Sequence, residues 1–311
     1  MRLPRSLAAA ALVAAAALCA HAADGDLVLE ASLETKGVKL GEDAVLLLTL
    51  TNRTASPAKV PALRLARDSI SVRVAGAHGT SLVTRLYGSF LENEAGTLDF
   101  RAEETMPRQV APGANLQGRV AVPVLLTGPL TFTAILGDSG TSRVEAKPVA
   151  IDVQGHQRVG VQVETTRGPM RIDLDPAAAY GSVATFWTLA RDGFFDGLPF
   201  HRVVAGALAQ TGDPRGNGTG GPGWYVPGET PVAAPARGDV GLARGAHADS
   251  GGSQWFVVGE HSATVNGGYV RIGVVADGLD TIDLLAANAL DAKTGRPKTP
   301  GKVLTVRPVV R

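Results

Sequence analysis

A chain of 311 residues, 45% hydrophobic and 19% charged, has room for one or two domains with real cores and is too apolar for disorder. Its formal net charge of +1 leaves no field to attract nucleic acid or an anionic membrane, and no basic arm is present. The six histidines are scattered without helix or finger spacing, so the sequence asks for no metal, and nothing in it calls for a cofactor.

Residues 1 to 22 read as a signal peptide. Arg2 and Arg5 precede an apolar run from Leu7 to Leu18, and Ala20-His21-Ala22 offers small residues where a signal peptidase reads, which predicts cleavage after Ala22. The run is shorter than the ~20 residues a membrane span needs, so no stable membrane insertion is expected once the leader is gone. Cys19 follows Ala16-Ala17-Leu18, without the leucine three residues before it that a lipoprotein signal wants. It is the only cysteine, so the mature chain can form no disulfide. The alanine-rich leader looks bacterial and points to the periplasm.

From residue 25 to 155, apolar and polar residues alternate with a period of two. Leu27/Leu29, Leu46/Leu48/Leu50, Ile70/Val72/Val74, Val120/Val122 and Leu130/Phe132/Ala134 each mark one face of a strand, and turn chemistry such as Ala111-Pro112-Gly113 separates them. Strands at this spacing without helices predict an antiparallel β-sandwich. The Gly41-Glu42-Asp43 turn before a leucine-rich strand and Thr51-Asn52 is similar to immunoglobulin-like modules of bacterial envelope proteins. With no acidic or histidine cluster and no nucleophile beside a base, the segment reads as a spacer or as a surface for a protein partner.

A boundary near Gln154-Gly155-His156 opens a second domain, residues 156 to 311. Val161-Gln162-Val163 and Met170 to Leu174 flank Thr166-Arg167-Gly168-Pro169 as a hairpin. Asp175-Pro176 predicts a helix start, Ala179, Val183, Phe186, Trp187 and Ala190 follow helical spacing, and Gly193 marks the stop. A second short helix is expected after Gly278, with Ile282 and Leu285 as its buried side.

Between these helices lies the informative stretch, Phe200-His201-Arg202-Val203-Val204 running through Gln210-Thr211-Gly212-Asp213 into the glycines from Gly216 to Gly223. A guanidinium on a half-buried strand must find acceptors or face a cleft, so Arg202 is either an ion-paired structural residue or a presented donor. A later segment, Gly241-Leu242-Ala243-Arg244-Gly245 through Gly252-Ser253-Gln254-Trp255-Phe256, has a strand, a small-residue loop and an aromatic strand. The glycines lack the Lys-Ser/Thr and following helix of a phosphate cradle, and Ser253 is not in a nucleophile elbow.

Together the two segments resemble the cyclophilin family of peptidyl-prolyl cis/trans isomerases, over roughly residues 160 to 310, with the spacing of its bacterial periplasmic branch. The resemblance implies an eight-stranded antiparallel β-barrel closed by two helices, with the site at the barrel mouth. It assigns Arg202 as the donor to the proline nitrogen and Gln210 as its companion on the substrate backbone, both catalytic. Substrate binding then falls to the backbone of Ala243, Arg244 and Gly245 and to a ring pocket of Phe256, Leu208 and Val265. The Arg244 side chain is either a substrate contact or a solvated loop charge. His201, beside Arg202, reads as a hydrogen-bonding structural histidine rather than a base, since rotation needs no proton abstraction. Trp255 is expected in the core.

Four positions depart from the family pattern. Ala207 replaces a pocket phenylalanine and predicts a shallower floor, while Tyr269 replaces the pocket-edge histidine and restores surface. Thr211 replaces a glycine and predicts a local shift of the strand. Thr264 stands where cyclosporin-sensitive members carry tryptophan, which predicts weak cyclosporin binding. The expected partners are proline-containing polypeptides that fold after export. The competing reading is a non-catalytic module that holds proline segments while the first domain recruits a partner; Ala207 favours it, and Arg202, Gln210 and Phe256 favour catalysis.

Overall fold

The computed structural model describes residues 27–34, 36–66, 69–85, 108–137, 143–232, 234–260, 268–287, 290 and 296–311. The leader with its cleavage site, Thr264 and Val265 lie outside the described residues. The described chain falls into two compact units: the described residues up to Thr84 and from Arg108 to His156 make the first, and Arg85 with those from Gln157 onward make the second. No helix among the described residues is long and apolar enough to cross a membrane.

The first unit is built of antiparallel strands. Strands β1 (Leu27–Leu33), β2 (Asp43–Asn52) and β7 (Asn115–Pro123) form one sheet in the order β1-β2-β7. The other sheet runs β10-β8-β4-β5, from β4 (Ile70–Gly76), β5 (Gly79–Val83), β8 (Gly128–Leu136) and β10 (Val149–Val153), with β9 (Val144–Glu145) on β8. Strands β3 (Ala58–Val60) and β6 (Arg108–Val110) make a separate pair. β1 lies against β8 and β10, which makes the unit two-layered. The alternation that the sequence displays is the burial pattern of β2, where Ala44, Leu46, Leu48 and Leu50 are buried and their neighbours are not. Asn52 ends that inward row. Its amide donates to the carbonyls of Ser56 and Val110 at 2.9 and 2.8 Å and accepts from the Thr54 N–H, so the buried polar group is fully partnered.

The second unit is an eight-stranded antiparallel sheet of order β13-β14-β16-β15-β17-β12-β11-β18. Its strands are β11 (Val159–Thr165), β12 (Gly168–Leu174), β13 (Arg202–Val204), β14 (Leu208–Thr211), β15 (Asp239–Leu242), β16 (Trp255–Val258), β17 (Val270–Asp277) and β18 (Val303–Val310). The two ends of this path meet. Gly197 N–H donates to Val303 O, Val303 N–H to Leu198 O and Phe200 N–H to Gly301 O at 2.8–2.9 Å, which closes the sheet into a barrel and removes its open edges.

Trp255 is fully buried inside the barrel, as expected, with Phe186, Phe195 and Phe200 edge-on around it at centroid distances of 5.6, 6.2 and 6.2 Å. Helix α1 (Tyr180–Arg191) supplies Phe186 and packs on β17 and β18; α2 (Leu279–Ala286) buries Ile282 and Leu285 and packs on β12, β13 and β14. Gly193, at φ +72°, terminates α1 as expected, with its N–H on Ala190 O and that of Phe194 on Leu189 O.

The start of α1 differs from the expectation. Asp175-Pro176 forms a turn, its carboxylate and carbonyl both taken by Ala178 N–H, and the helix begins only at Tyr180. The orphan N–H groups of the first turn are satisfied from afar: Glu229 accepts from Gly181 at 3.0 Å and from Ser182 at 2.8 Å. Glu229→Ala is expected to cost about 1–2 kcal/mol, the scale of a lost cap, read as a lower thermal midpoint.

Candidate active site

Residues directly opposite in an antiparallel pair project to the same face, so register alone assembles this site. Arg202 pairs with Gln210, Gln210 with Phe256, Leu208 with Val258 and Gly241 with Phe256. These side chains therefore share the outer face of the barrel wall, while Ala209, Thr211, Trp255 and Val257 point into the barrel and are fully buried. The site lies on the flank of the barrel rather than at its mouth, because the mouth expectation ignored which face of β14 carries Gln210.

Arg202 is exposed, and its Nη1 donates to Gln210 Oε1 at 3.0 Å. Among the described residues no carboxylate forms a salt bridge with it. The hydrogen bonds then run in one direction: Gln210 Nε2 donates to Gln254 Oε1 at 2.9 Å, and Gln254 Nε2 donates to the carbonyls of Gly218 and Gly220 at 3.0 and 2.9 Å. The glycine-rich loop that offers those carbonyls is shaped by Asp213. This fully buried carboxylate accepts from the N–H groups of Arg215, Asn217 and Gly218 at 2.7, 2.8 and 2.5 Å. Gly212 makes the arrangement sterically feasible: at φ +87° it passes so close to β16 that a Cβ would lie 2.1 Å from Ser253 O.

Beside the arginine, Ala207, Leu208, Phe256, Val258 and Tyr269 form an apolar cluster, with Val232 and Ala243 packed on it. The Phe256 and Tyr269 rings meet edge-on, with centroids 5.0 Å apart. A groove of about 220 Å³ adjoins the relay, lined among others by Gln210, Gly220, Ala243, Gly245 and Gln254. The N–H groups of Ala243 and Gly245 are already given to Gln254 O and Ser250 Oγ, which leaves Arg244 N–H as the unpaired backbone donor of that segment among the described residues. The Arg244 side chain holds the Gly268 carbonyl through Nε and Nη2 at 3.2 and 2.7 Å, so it ties two loops together and is not a free solvated charge.

The 148-residue span from 160 to 307 matches the model of the cyclophilin type peptidyl-prolyl cis-trans isomerase family. Peptidyl-prolyl cis-trans isomerase B of Bacillus subtilis is 45% identical over 113 residues, 36% of this chain and 78% of that protein. The chain belongs to the cyclophilin-type peptidyl-prolyl cis-trans isomerases. A peptidyl-prolyl cis-trans isomerase of Helicobacter pylori is 38% identical over 125 residues, covering 39% of this chain and 76% of that one. The chain is also similar to a crystal structure of a Cryptosporidium parvum cyclophilin, at 26% identity and a TM-score of 0.44, over 48% of this chain and 96% of that one.

Against the cyclophilin pattern, Thr211 produces no strand shift. The β14–β16 register is continuous, and the Thr211 hydroxyl donates to Pro199 O at 2.9 Å, so the side chain fits in a fully buried position with its polar atom satisfied. Ala207 is buried in the ring cluster, 1% exposed. Val265 and Thr264, and with them the cyclosporin expectation, fall outside the described residues.

His201 is buried, and although neither ring nitrogen makes a well-aligned hydrogen bond among the described residues, Gln254 and the Pro199 backbone lie close enough to interact with the ring. Burial holds its pKa below the usual 6.5, opposed by the charge of Asp213. The unfolded chain therefore takes up the proton first. This group's stabilising effect is complete above about pH 6.5 and is lost as pH falls from there through the folded pKa. Thermal midpoints between pH 7 and 5 are expected to fall less steeply in His201→Leu than in the wild type.

Sequence reasoning missed Gln254 as the link between Gln210 and the loop, and Asp213 as the loop's organiser, although both stand inside the motifs that carried the resemblance. It also missed Asp239 and Arg271, which belong to no motif.

Proposed function

We propose that this isomerase turns X–Pro bonds in exported polypeptides after its own leader is removed behind Ala22, and that it works in the periplasm. The C–N bond of a prolyl amide resists rotation by roughly 18–20 kcal/mol because of resonance. Breaking that resonance pyramidalises the proline nitrogen and gives it a lone pair. A donor aimed at the lone pair binds the twisted amide better than either planar isomer, which is the condition for lowering the barrier. Arg202 is that donor. Gln210 holds the guanidinium and steadies the substrate backbone, Phe256, Leu208 and Tyr269 receive the proline ring, and the Ala243–Gly245 segment takes the residues before proline through Arg244 N–H and its carbonyls.

The observation that carries this reading is the exposed Arg202 guanidinium, tethered by one neutral amide at 3.0 Å and flanked by an apolar ring-sized cluster. A protease-coupled assay on a proline peptide tests it, with Arg202→Ala as the informative variant. The first unit is read as an immunoglobulin-like spacer or partner-binding module that sets where the isomerase acts.

A further inference from the structure

The wall of the ring pocket is braced from behind by a buried charge. Asp239, at the start of β15 and only 3% exposed, accepts at Oδ2 from the Tyr269 hydroxyl at 2.8 Å and from Ala236 N–H at 3.0 Å. Its Oδ1 faces Arg271 Nη1 at 3.7 Å, and Arg271 Nη2 reaches Asp175 at 3.4 Å. A bulge brings these groups together. β17 pairs Gly273 with Val240 and Arg271 with Gly241, so Ile272 is an extra residue that re-aims the strand beside the pocket.

A carboxylate in such a place is costly unless it is fully engaged, and this one spends its acceptors on a phenol, a backbone amide and a guanidinium. The brace acts on the rings. A Cβ on Gly241 would lie 2.4 Å from Phe256 and 2.7 Å from Tyr269, so both rings rest on bare β15 backbone and Tyr269 is clamped between that strand, Phe256 and the Asp239 bond. Burial first, then Asp239, push the Tyr269 pKa far above its usual value, so the hydroxyl stays a donor to Asp239 at any physiological pH.

We infer that Asp239 and Arg271 are positioning residues for substrate binding: they hold Tyr269 as a rigid apolar wall of the proline pocket, with its hydroxyl turned away from the peptide. The inference rests on the reading of Phe256 and Tyr269 as the ring pocket. A wall that is already immobile loses no side-chain freedom when the proline ring enters, and the benefit appears in affinity rather than in the rotation step.

The test is steady-state kinetics on the full chain with a short alanyl-proline peptide, supported by calorimetric peptide affinity. Freeing one ring costs the entropy of one immobilised side chain, so Asp239→Ala and Tyr269→Phe are each expected to raise KM about five- to tenfold at little-changed kcat. The double variant is expected to be no worse than either single one. Asp239→Asn keeps an acceptor for the hydroxyl and is expected to stay within about twofold of wild type, a rescue that lost packing alone would not explain. Should Asp239→Ala not fold, Arg271→Met, at a half-exposed site, is expected to give about two- to threefold in KM. Unchanged KM and affinity in variants with lowered thermal midpoints would overturn the inference, and so would effects that multiply in the double variant. Phe256→Ala separates the two levels: unchanged affinity there would sink the pocket itself, whereas a loss there with no effect of Asp239→Ala would sink only the brace.

Discussion

Arg202→Ala is expected to lower kcat/KM about 10- to 100-fold, since a charge-assisted hydrogen bond contributes roughly 1.5–3 kcal/mol and each 1.4 kcal/mol is a decade of rate. The loss belongs in kcat, because the bond exists only while the amide is twisted. Thermal stability is expected to be almost unchanged: the side chain is exposed, and Gln210, its partner among the described residues, keeps its bond to Gln254. Arg202→Lys is expected to recover only part of the rate, since an ammonium keeps the charge but not the fork that allows Gln210 and the proline nitrogen to be addressed together. Equal rates for wild type and Arg202→Ala in the protease-coupled assay would contradict the mechanism.

Asp213→Ala is expected to be the most damaging change to the fold, at roughly 1.5–3 kcal/mol or more, the scale of losing hydrogen bonds to a charged acceptor. Three backbone N–H groups lose their carboxylate acceptor at once. The loop they shape also supplies the two carbonyls that anchor Gln254, so isomerase activity is expected to fall with stability. In Asp213→Asn one oxygen survives. Because Oδ2 alone serves two of the three donors, that variant is expected to lie between the wild type and Asp213→Ala. Thermal unfolding read alongside the isomerase assay checks both parts; a wild-type midpoint for Asp213→Ala would remove the loop from the account.

These contrasts show what a sequence exposes and what it hides. Arg202, Gln210 and Phe256 were legible because they sit in contiguous motifs and because strand alternation puts them on one face. The strands of the first unit were legible where alternation runs long, as in β2, whereas β3, β6 and β9, at two or three residues each, carry no period to detect. The start of α1 was misplaced because Asp-Pro chemistry suits a turn as well as a helix N-terminus. The actual cap, Glu229, lies 48 residues from Gly181 and is brought near only by the closed fold. Asp239 and Tyr269, thirty residues apart, are joined the same way. Partnerships between distant charged and polar groups depend on register and bulges, and local composition does not encode those.

The seam of the barrel has a further consequence for biosynthesis. β11 opens the second unit and β18 comes last in it, yet the two are neighbours, and the segment leading into β13 is stitched to the one leading into β18. A nascent chain can pair β11 with β12 early but lacks its second partner until Val303–Val310 has emerged, so this prolyl isomerase completes its own sheet only after translation of that stretch, as a late and non-local step.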